Sequence, residues 1–262
     1  MTTRTAYFGN NILGLRILRW LRERDESIVG LVVHPPAKRK FGDELIEAAG
    51  LPKERVVLGS RLRAPDVIEQ VRLWEADIAV SVLFDYILKP DIIESFPMGV
   101  VNLHPALLPW NRGQYPNVWS IVEGTPAGTT LHYIDAGVDT GPIIDQQEVV
   151  VDPVDTGETL YRKLEDASFE VFTRSWDAIK EGRASQTPQP SGGTSHRTRD
   201  VDAIDRIDLD RTYRAGDLIN ILRARTFPPY AGAYFEASGR KISLRLRLSY
   251  DDQAEDGGRV DQ

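Results

Sequence analysis

Cysteine is absent from this 262-residue chain, and its four histidines stand far apart in the sequence. Without cysteine the chain can form neither disulfides nor thiolate metal sites, and histidines without close ligand spacing give no reason to expect a bound metal. No apolar run approaches the length of a membrane span, and no signal peptide precedes the first predicted strand. We therefore expect a cytoplasmic protein with no metal and no membrane partner.

Positive charge is also scarce. Lysine and arginine together number 32 against 39 acidic residues, which gives a net charge of −7 and a pI of about 5.2. A protein that binds nucleic acid ordinarily presents a basic face to the phosphates, so this balance disfavours a nucleic-acid partner. Two short basic stretches remain, 38–40 and 197–199. Each is either a solvated surface or a local anion contact.

What the chain does contain is an alternation of strand and helix patterns. A β-like run, a helical 3–4 residue repeat and a second apolar run open the sequence, which is typical of a parallel doubly wound sheet. Neither a dinucleotide fingerprint nor a Walker motif follows the first strand, because residues 9–14 read G-x-x-x-x-G without the required lysine. The fold class predicted is α/β, a Rossmann-like doubly wound sheet with a partly antiparallel edge. Its predicted strands are 4–8, 27–34, 55–58, 77–84, 98–103, 128–134 and 142–151, and its longest helix is 157–181.

The second part of the chain is smaller. A Pro-, Gly- and Ser-rich stretch at 183–202 predicts a linker between a large first domain (1–182) and a small C-terminal domain (203–250). The latter reads as a helix, 212–225, and a β-hairpin, 232–237 with 240–250. A region this small buries little apolar surface alone, so we expect it to pack on the first domain or to form a homodimer. Residues 251–262 are predicted to be disordered.

Candidate reacting groups follow two of the predicted strands. Asn102 and His104 stand at i and i+2 at the end of an apolar strand, so both side chains project to the same face. Asp139 lies in a second polar, glycine-containing cluster, 132–142. Taken singly, each is as well explained by a hydrogen-bonded strand end or turn. Together they point to a ligand site at the carboxyl ends of the strands, where α/β proteins bind ligands.

The spacing of these residues resembles a known family. The run Asn102-Leu-His-Pro-Ala-Leu-Leu-Pro109, then Arg112-Gly113, then Asp135-x-Gly-x-Asp-Thr-Gly141 is similar to the signature of folate-dependent formyltransferases. The segments 111–119 and 226–235 most resemble the nucleotide-sugar N-formyltransferases within that family. The resemblance is strong over residues 75–150 and looser over 200–248.

The resemblance implies a formyltransferase fold and an N-formyltransferase that moves a formyl group from N10-formyltetrahydrofolate to a nucleotide-linked amino sugar, a step of lipopolysaccharide O-antigen biosynthesis. Formyl transfer to another amine such as methionyl-tRNA, hydrolysis of formyltetrahydrofolate, or a silent scaffold remain open. The catalytic residues implied are Asn102, His104 and Asp139. The residues expected to bind the folate co-substrate are Phe84, Tyr86, Ile87, Leu88, Asp135, Gly137 and Val138. Those expected to bind the sugar nucleotide are Asn10, Arg112, Gln114, Tyr115 and Tyr230, with Asn10 at a helix N-terminus whose amides can hold an oxygen.

The chemistry explains why these residue types suit the reaction. An attacking amine turns the formyl carbonyl into an oxyanion, and the Asn102 amide can donate a hydrogen bond to it. His104 can either donate to that oxyanion or accept the amine proton. Asp139 can orient the imidazole and relay a proton, and the sequence does not divide the proton transfers between these two. His132 is expected to have a structural or positioning role. A serine hydrolase is disfavoured because no G-x-S-x-G turn is present.

Overall fold

A seven-stranded sheet organises the larger part of the protein, which we describe from a computed structural model over residues 2–251. The sheet order is β3-β2-β1-β4-β5-β7-β8. Its first five strands in that order pair in parallel, whereas β7 runs antiparallel to both β5 and β8. The predicted doubly wound sheet with an antiparallel edge is confirmed. The strands are β1 Arg4–Gly9, β2 Ser27–Val33, β3 Val56–Leu58, β4 Ile78–Val82, β5 Val100–His104, β6 Arg112–Gly113, β7 Gly128–Tyr133, β8 Ile143–Glu148, β9 Ser195–His196, β10 Tyr234–Ala237 and β11 Arg240–Ser243.

Helices cover both faces of the sheet. On one face α1, α2 and α6 form a core with the strands, and on the other α3 and α4 do the same. The long helix α6 begins with a capping box between Thr156 and Thr159, and its apolar side chains Leu160, Phe172 and Trp176 are buried. The helices are α1 Asn11–Glu23, α2 Gly42–Ala49, α3 Pro65–Arg72, α4 Pro90–Ile93, α5 Pro116–Glu123, α6 Gly157–Lys180, α7 Asp202–Asp205 and α8 Ala215–Ala224. Across residues 2–251, none is both long and apolar enough to cross a membrane.

The strand order places a crevice where ligands are expected. The chain runs outward from β1 to β2 and β3 and then crosses back to β4 on the other side of β1, so the carboxyl ends of β1 and β4 open a gap between their loops. The loop after β5 opens onto the same edge. The predicted pair Asn102 and His104 ends β5 and therefore stands at this crevice.

The C-terminal region forms the predicted helix and hairpin, with shorter strands than expected. β10 and β11 pair through a two-residue turn at Ser238 and Gly239, both with positive φ, as a tight hairpin requires. The expectation of a strand to residue 250 is wrong for the described chain: β11 ends at Ser243, opposite the first residue of β10, and beyond it Leu244 N–H still donates to Ala233 O. The predicted disordered tail begins at Asp251, and residues 252–262 lie outside the described residues.

One local expectation near the crevice is also corrected. The backbone amides of the turn before α1 are already bonded within the chain: Asn10 N–H donates to Val82 O and Asn11 N–H donates to Lys40 O. These two amides are therefore not free to hold a ligand oxygen.

Candidate functional site

An open cavity of about 460 Å³ occupies the crevice at the carboxyl ends of the parallel strands. Asn102, His104 and Asp139 all contribute to its wall, although Asp139 comes from the loop after β7. The structure thus brings together the three predicted reacting groups from two crossings of the sheet. Other lining residues include Asn10, Asn11, Lys38, Lys40, Phe84, Tyr86, Ile87, Leu88, Gln114, Tyr115, His132, Asp135, Gly137, Val138 and Tyr161.

The Asn102 amide is held by His132, its direct neighbour across the β5–β7 pair. His132 is 1% exposed, and its Nδ1 lies 2.8 Å from Tyr133 O. A carbonyl only accepts, so Nδ1 carries the proton and Nε2 accepts from Asn102 Nδ2 at 3.2 Å. This contact fixes which end of the amide faces His132. The second N–H of Asn102 is then the donor that an oxyanion needs.

Burial decides the charge of His132. Desolvation lowers the pKa of the His132 imidazole to about 4, outweighing the opposite effect of Asp139 at 3.7 Å from Nε2. The ring is therefore neutral near pH 7, as its role as an acceptor requires. The sequence could have indicated this role only through the cross-strand register of Asn102 and His132, which a single sequence does not reveal.

The His132 shift makes stability depend on pH. A folded pKa of about 4 against an unfolded value of about 6.5 means that the unfolded chain binds the extra proton between these values. The contribution of His132 is fully present above pH 6.5 and is lost as the pH falls toward 4. Between pH 7.5 and 5 we expect it to lower the free energy of unfolding by about 2 kcal/mol. Urea titrations of wild type and His132→Gln at several pH values measure this free energy, and the variant should lose that part of the pH dependence. If the free energy of unfolding changed equally with pH in both proteins, the assignment would be contradicted.

His104 is buried between a carbonyl and a carboxylate. Its Nε2 lies 3.2 Å from Asn111 O, so Nε2 carries a proton, and its Nδ1 faces Asp139 Oδ2 at 3.7 Å. That gap exceeds a hydrogen bond, as catalytic contacts often do before a ligand binds. A proton taken up at Nδ1 would find a carboxylate beside it. The arrangement suits an imidazole that accepts a proton and is stabilised as a cation.

Asp139 sits at a strained point of its loop, with a φ of 53°. Its Oδ2 accepts the Gly113 N–H at 2.9 Å, which leaves the other carboxylate oxygen toward His132. The turn before it is built by Asp135, whose Oδ1 accepts from Gly137 N–H and from the Thr140 hydroxyl. The turn therefore aims the Asp139 carboxylate into the space between the two imidazoles.

The seven residues predicted to bind the folate all line the cavity, and we call the part of the wall that they form the apolar arm. Phe84 and Tyr86 pack against the ring of His34, which fixes the loop after β4. Two apolar side chains of this arm stay unburied, Ile87 at 61% and Val138 at 51% exposure. Apolar surface left open beside polar backbone is what a flat heteroaromatic ligand would cover. Binding of folate by these residues stays a prediction.

We call the part of the wall formed by Asn10, Lys38, Lys40, Gln114 and Tyr115 the basic arm. Three predicted substrate-binding residues, Asn10, Gln114 and Tyr115, line it. Tyr230 lies beyond the lining but accepts a hydrogen bond from Lys40 Nζ at 2.7 Å. Sequence reasoning did not assign Lys40 to the site, and the only signal was the basic stretch 38–40. The side chain of Asn10 is tied to His34 Nδ1 and the Lys40 N–H, so it supports this arm from behind.

Arg112 does not line the cavity either. Its guanidinium donates to Gln189 Oε1 and to the Asp139 and Gly192 carbonyls. The structure therefore places the predicted substrate-binding Arg112 behind the Asp139 loop. Its contact with a substrate stays a prediction that these contacts do not favour.

Comparison with known proteins is consistent with this geometry. Residues 4–175 match the family described as Formyl transferase, and residues 200–250 match the N-formyltransferase dimerization C-terminal domain. The dTDP-4-amino-4,6-dideoxyglucose formyltransferase of Mycobacterium bovis is 34% identical over 66% of this chain and 76% of its own length. The methionyl-tRNA formyltransferase of Caulobacter sp. (strain K31) is 30% identical over 97% of this chain and 82% of its own.

Solved structures are similar over most of the chain. A 4-N formyltransferase from Francisella tularensis has a TM-score of 0.82 and 25% identity, covering 95% of this chain and 99% of its own. PseJ from Anoxybacillus kamchatkensis, crystallised with UDP-4,6-dideoxy-4-formamido-L-AltNAc and tetrahydrofolate, has a TM-score of 0.57 and 29% identity over 77% of this chain and 89% of its own. The family match covers most of the chain and includes Asn102 and His104 on β5 and Asp139 in the loop after β7. On these grounds the chain belongs to the formyl transferase family.

Proposed function

We propose that this protein transfers the formyl group of N10-formyltetrahydrofolate to the amino group of a nucleotide-linked amino sugar, such as a dTDP- or GDP-4-amino-4,6-dideoxyhexose. The observation that carries the proposal is the convergence of Asn102, His104 and Asp139 on one cavity with an apolar arm and a basic arm. The apolar arm suits a pteridine, and the basic arm suits a diphosphate. The sugar formyltransferase relatives support the same pair of substrates.

The residues of the cavity give each chemical step a group that can perform it. The amine nitrogen attacks the formyl carbon and forms a C–N bond, while the carbonyl oxygen becomes an oxyanion beside the second N–H of Asn102. The amine proton passes to His104 Nδ1, and Asp139 stabilises the resulting cation. The bond between the formyl carbon and folate N10 then breaks, and the proton leaves with the folate nitrogen. Transfer through a water between His104 and Asp139 is an equivalent route for that proton.

The basic arm bears on the acceptor. Lys38 and Lys40 line it in a chain of net charge −7, and the Lys40 ammonium is held by the Tyr230 hydroxyl. Lysine binds phosphate as a point charge. The Tyr230 ring stands 5.3 Å from Phe227 at the same rim, where an aromatic base could stack. We therefore place the nucleotide diphosphate at Lys40 and the base toward Tyr230.

Assembly and location complete the proposal. The match of residues 200–250 to a dimerization domain, with Ile219, Leu209 and Ile242 exposed at 44%, 63% and 42%, supports a homodimer through the C-terminal region. Sedimentation analysis tests this assembly. A cytoplasmic location, the absence of a nucleic-acid partner and a place in O-antigen biosynthesis stay predictions.

A second acceptor class is favoured by one observation. The methionyl-tRNA formyltransferase relative matches nearly the whole chain, and a tRNA would also meet the lysines of the basic arm. Against it stands the overall negative charge, because a tRNA enzyme needs a broad basic face. We rank the nucleotide sugar first for that reason.

The acceptor panel decides between these readings. Purified protein with formyltetrahydrofolate is offered dTDP-, GDP- and UDP-linked amino sugars, the same sugars without a nucleotide, methionyl-tRNA, or no acceptor. We expect formylated product, detected by mass spectrometry, with a nucleotide-linked sugar and at least about tenfold less with the free sugar, since the diphosphate contact is lost. Formylated methionyl-tRNA would favour the second class, and folate turnover without an acceptor would indicate hydrolysis. No turnover of formyltetrahydrofolate under any of these assay conditions would contradict the proposal.

A further inference from the structure

The segment between the catalytic and C-terminal regions returns to the active site. We call residues 187–196 the return segment. Thr187 exchanges two backbone hydrogen bonds with Ile143 on β8, and β9 pairs with β6 beside the site. The catalytic-domain match ends at residue 175. The return segment therefore lies outside the matched catalytic domain and still contacts the Asp139 loop.

Gln189 is the side chain that makes this contact. Its Nε2 donates to Asp139 O at 2.8 Å and to Gly141 O at 2.9 Å. Its Oε1 accepts from Arg112 Nη2 at 2.6 Å and from Arg112 Nε at 3.1 Å. Both N–H groups and both lone pairs of the amide are thus used. All of these hydrogen bonds go to the loop that carries Asp139 or to Arg112, which also donates to that loop. This half-buried side chain therefore holds the loop in place.

Asp139 needs such support for two reasons. Its φ of 53° lies in the left-handed region, which a residue with a Cβ occupies only when its surroundings hold it there. Its carboxylate is held by the Gly113 N–H, and Gly113 is itself on β6, paired with His196 of the return segment. Both the backbone and the carboxylate of Asp139 are therefore anchored through residues 187–196.

We propose that Gln189, with Arg112 behind it, is a positioning residue that holds the Asp139 carboxylate beside His104. This inference rests on the proposed formyl transfer. It assigns a role in the reaction to a segment that the sequence predicts to be a linker, and it places Arg112 in that support. The chain leading to the C-terminal domain then completes the active site.

The first test compares Gln189→Met with a matched substitution on the outer edge of the sheet, Gln147→Met. Methionine keeps the length of the side chain and removes its donors and acceptor. We expect kcat to fall about 10- to 100-fold in Gln189→Met, because a displacement of about 1 Å in a catalytic group costs rates of this order. KM for both substrates should stay within about threefold, since Gln189 touches neither arm of the cavity. Gln147, which bonds Glu170 on the surface, should leave kcat unchanged.

A second variant separates the two halves of the contact. Gln189→Glu keeps an oxygen for Arg112 but loses both donors to the Asp139 loop. We expect it to lose activity to a degree similar to Gln189→Met. Full activity in Gln189→Glu would show that the donors to Asp139 and Gly141 are not needed, and would overturn the proposal.

A double-mutant cycle gives the decisive readout. If Gln189 acts through Asp139, adding Gln189→Met to Asp139→Asn should lower kcat by less than about threefold, because the group being positioned is already gone. Effects that multiply in full would overturn the proposal, as would a Gln189→Met enzyme with more than half the wild-type kcat. Thermal unfolding of each variant accompanies the rates, and the cycle keeps its meaning if stability falls. Absence of turnover in wild type, by contrast, would count against the proposed function and not against this role.

Discussion

Replacement of His104 by alanine is expected to lower kcat for formyl transfer by about 10³-fold or more, while the protein stays folded. The ring is buried between Asn111 O and Asp139, and its Nδ1 faces the carboxylate across 3.7 Å. Alanine removes both the proton acceptor and the cation that assists the leaving nitrogen, and each such function is worth about 10²–10⁴ in rate. Single-turnover assays with saturating substrates measure the loss directly.

A companion variant shows which function of His104 dominates. His104→Gln keeps a hydrogen-bond donor but cannot accept a proton and become a cation. If His104 acts mainly by donating to the oxyanion, His104→Gln should recover part of the rate that His104→Ala loses. If His104 acts mainly as the proton acceptor, His104→Gln should be as slow as His104→Ala. The control for both variants is thermal unfolding together with binding of tetrahydrofolate, which should persist. Near-normal rates in His104→Ala would show that the assignment is wrong.

The sequence predicted the half of the site that depends on local geometry. Asn102 and His104 stand two positions apart on one strand, so their common face follows from the two-residue period of a β-strand. The placement of Asp139 opposite them rested on the spacing of a known signature, and the structure brings its carboxylate within 3.7 Å of both imidazoles. The same reasoning predicted the sheet, because buried strands and amphipathic helices alternate with clear periods.

The remaining half depends on contacts between residues far apart in sequence. His132 holds Asn102 because β5 and β7 pair in a particular antiparallel register, and a bulge falls at Leu131 and His132. Gln189 reaches Asp139 across 50 positions through a stretch whose composition is that of a linker. Neither a pairing register nor the course of an irregular segment can be predicted from the hydrophobic periodicity of a sequence. In the proposed reaction, these are the contacts that orient the reacting groups.

The two histidines of the site are given different tasks by their partners. His132 is neutral because it is buried and its Nε2 already accepts the Asn102 N–H, so a proton there would remove the acceptor. His104 has its Nε2 on a carbonyl and its Nδ1 open toward Asp139. In the proposed reaction, one carboxylate between two imidazoles therefore supports proton uptake at His104 alone. Paired groups with different surroundings are the usual way in which a site separates acceptor and donor roles.

Replacement of Asp139 by asparagine tests that separation and is expected to lower kcat by about 10³-fold. The amide oxygen of asparagine can still accept the Gly113 N–H, so the loop should keep its shape. Its NH₂ group would then take the place of Oδ1 and face His132 Nε2, while the amide oxygen left beside His104 Nδ1 carries no negative charge to stabilise the cation. A comparable exchange of carboxylate for amide beside a catalytic histidine costs about 10⁴ in serine proteases.

The pattern of kinetic constants distinguishes this from a folding defect. KM for formyltetrahydrofolate and for the sugar nucleotide should change by less than about threefold, because the substrates bind in the two arms and not at the carboxylate. A matched exchange at Asp166→Asn, on the outer face of α6 where it pairs with Arg16, should leave kcat unchanged. If Asp139→Asn kept more than a tenth of the wild-type kcat, the carboxylate would not be the group that stabilises the His104 cation. The proton would then leave the amine by a route that does not need a charge at this position.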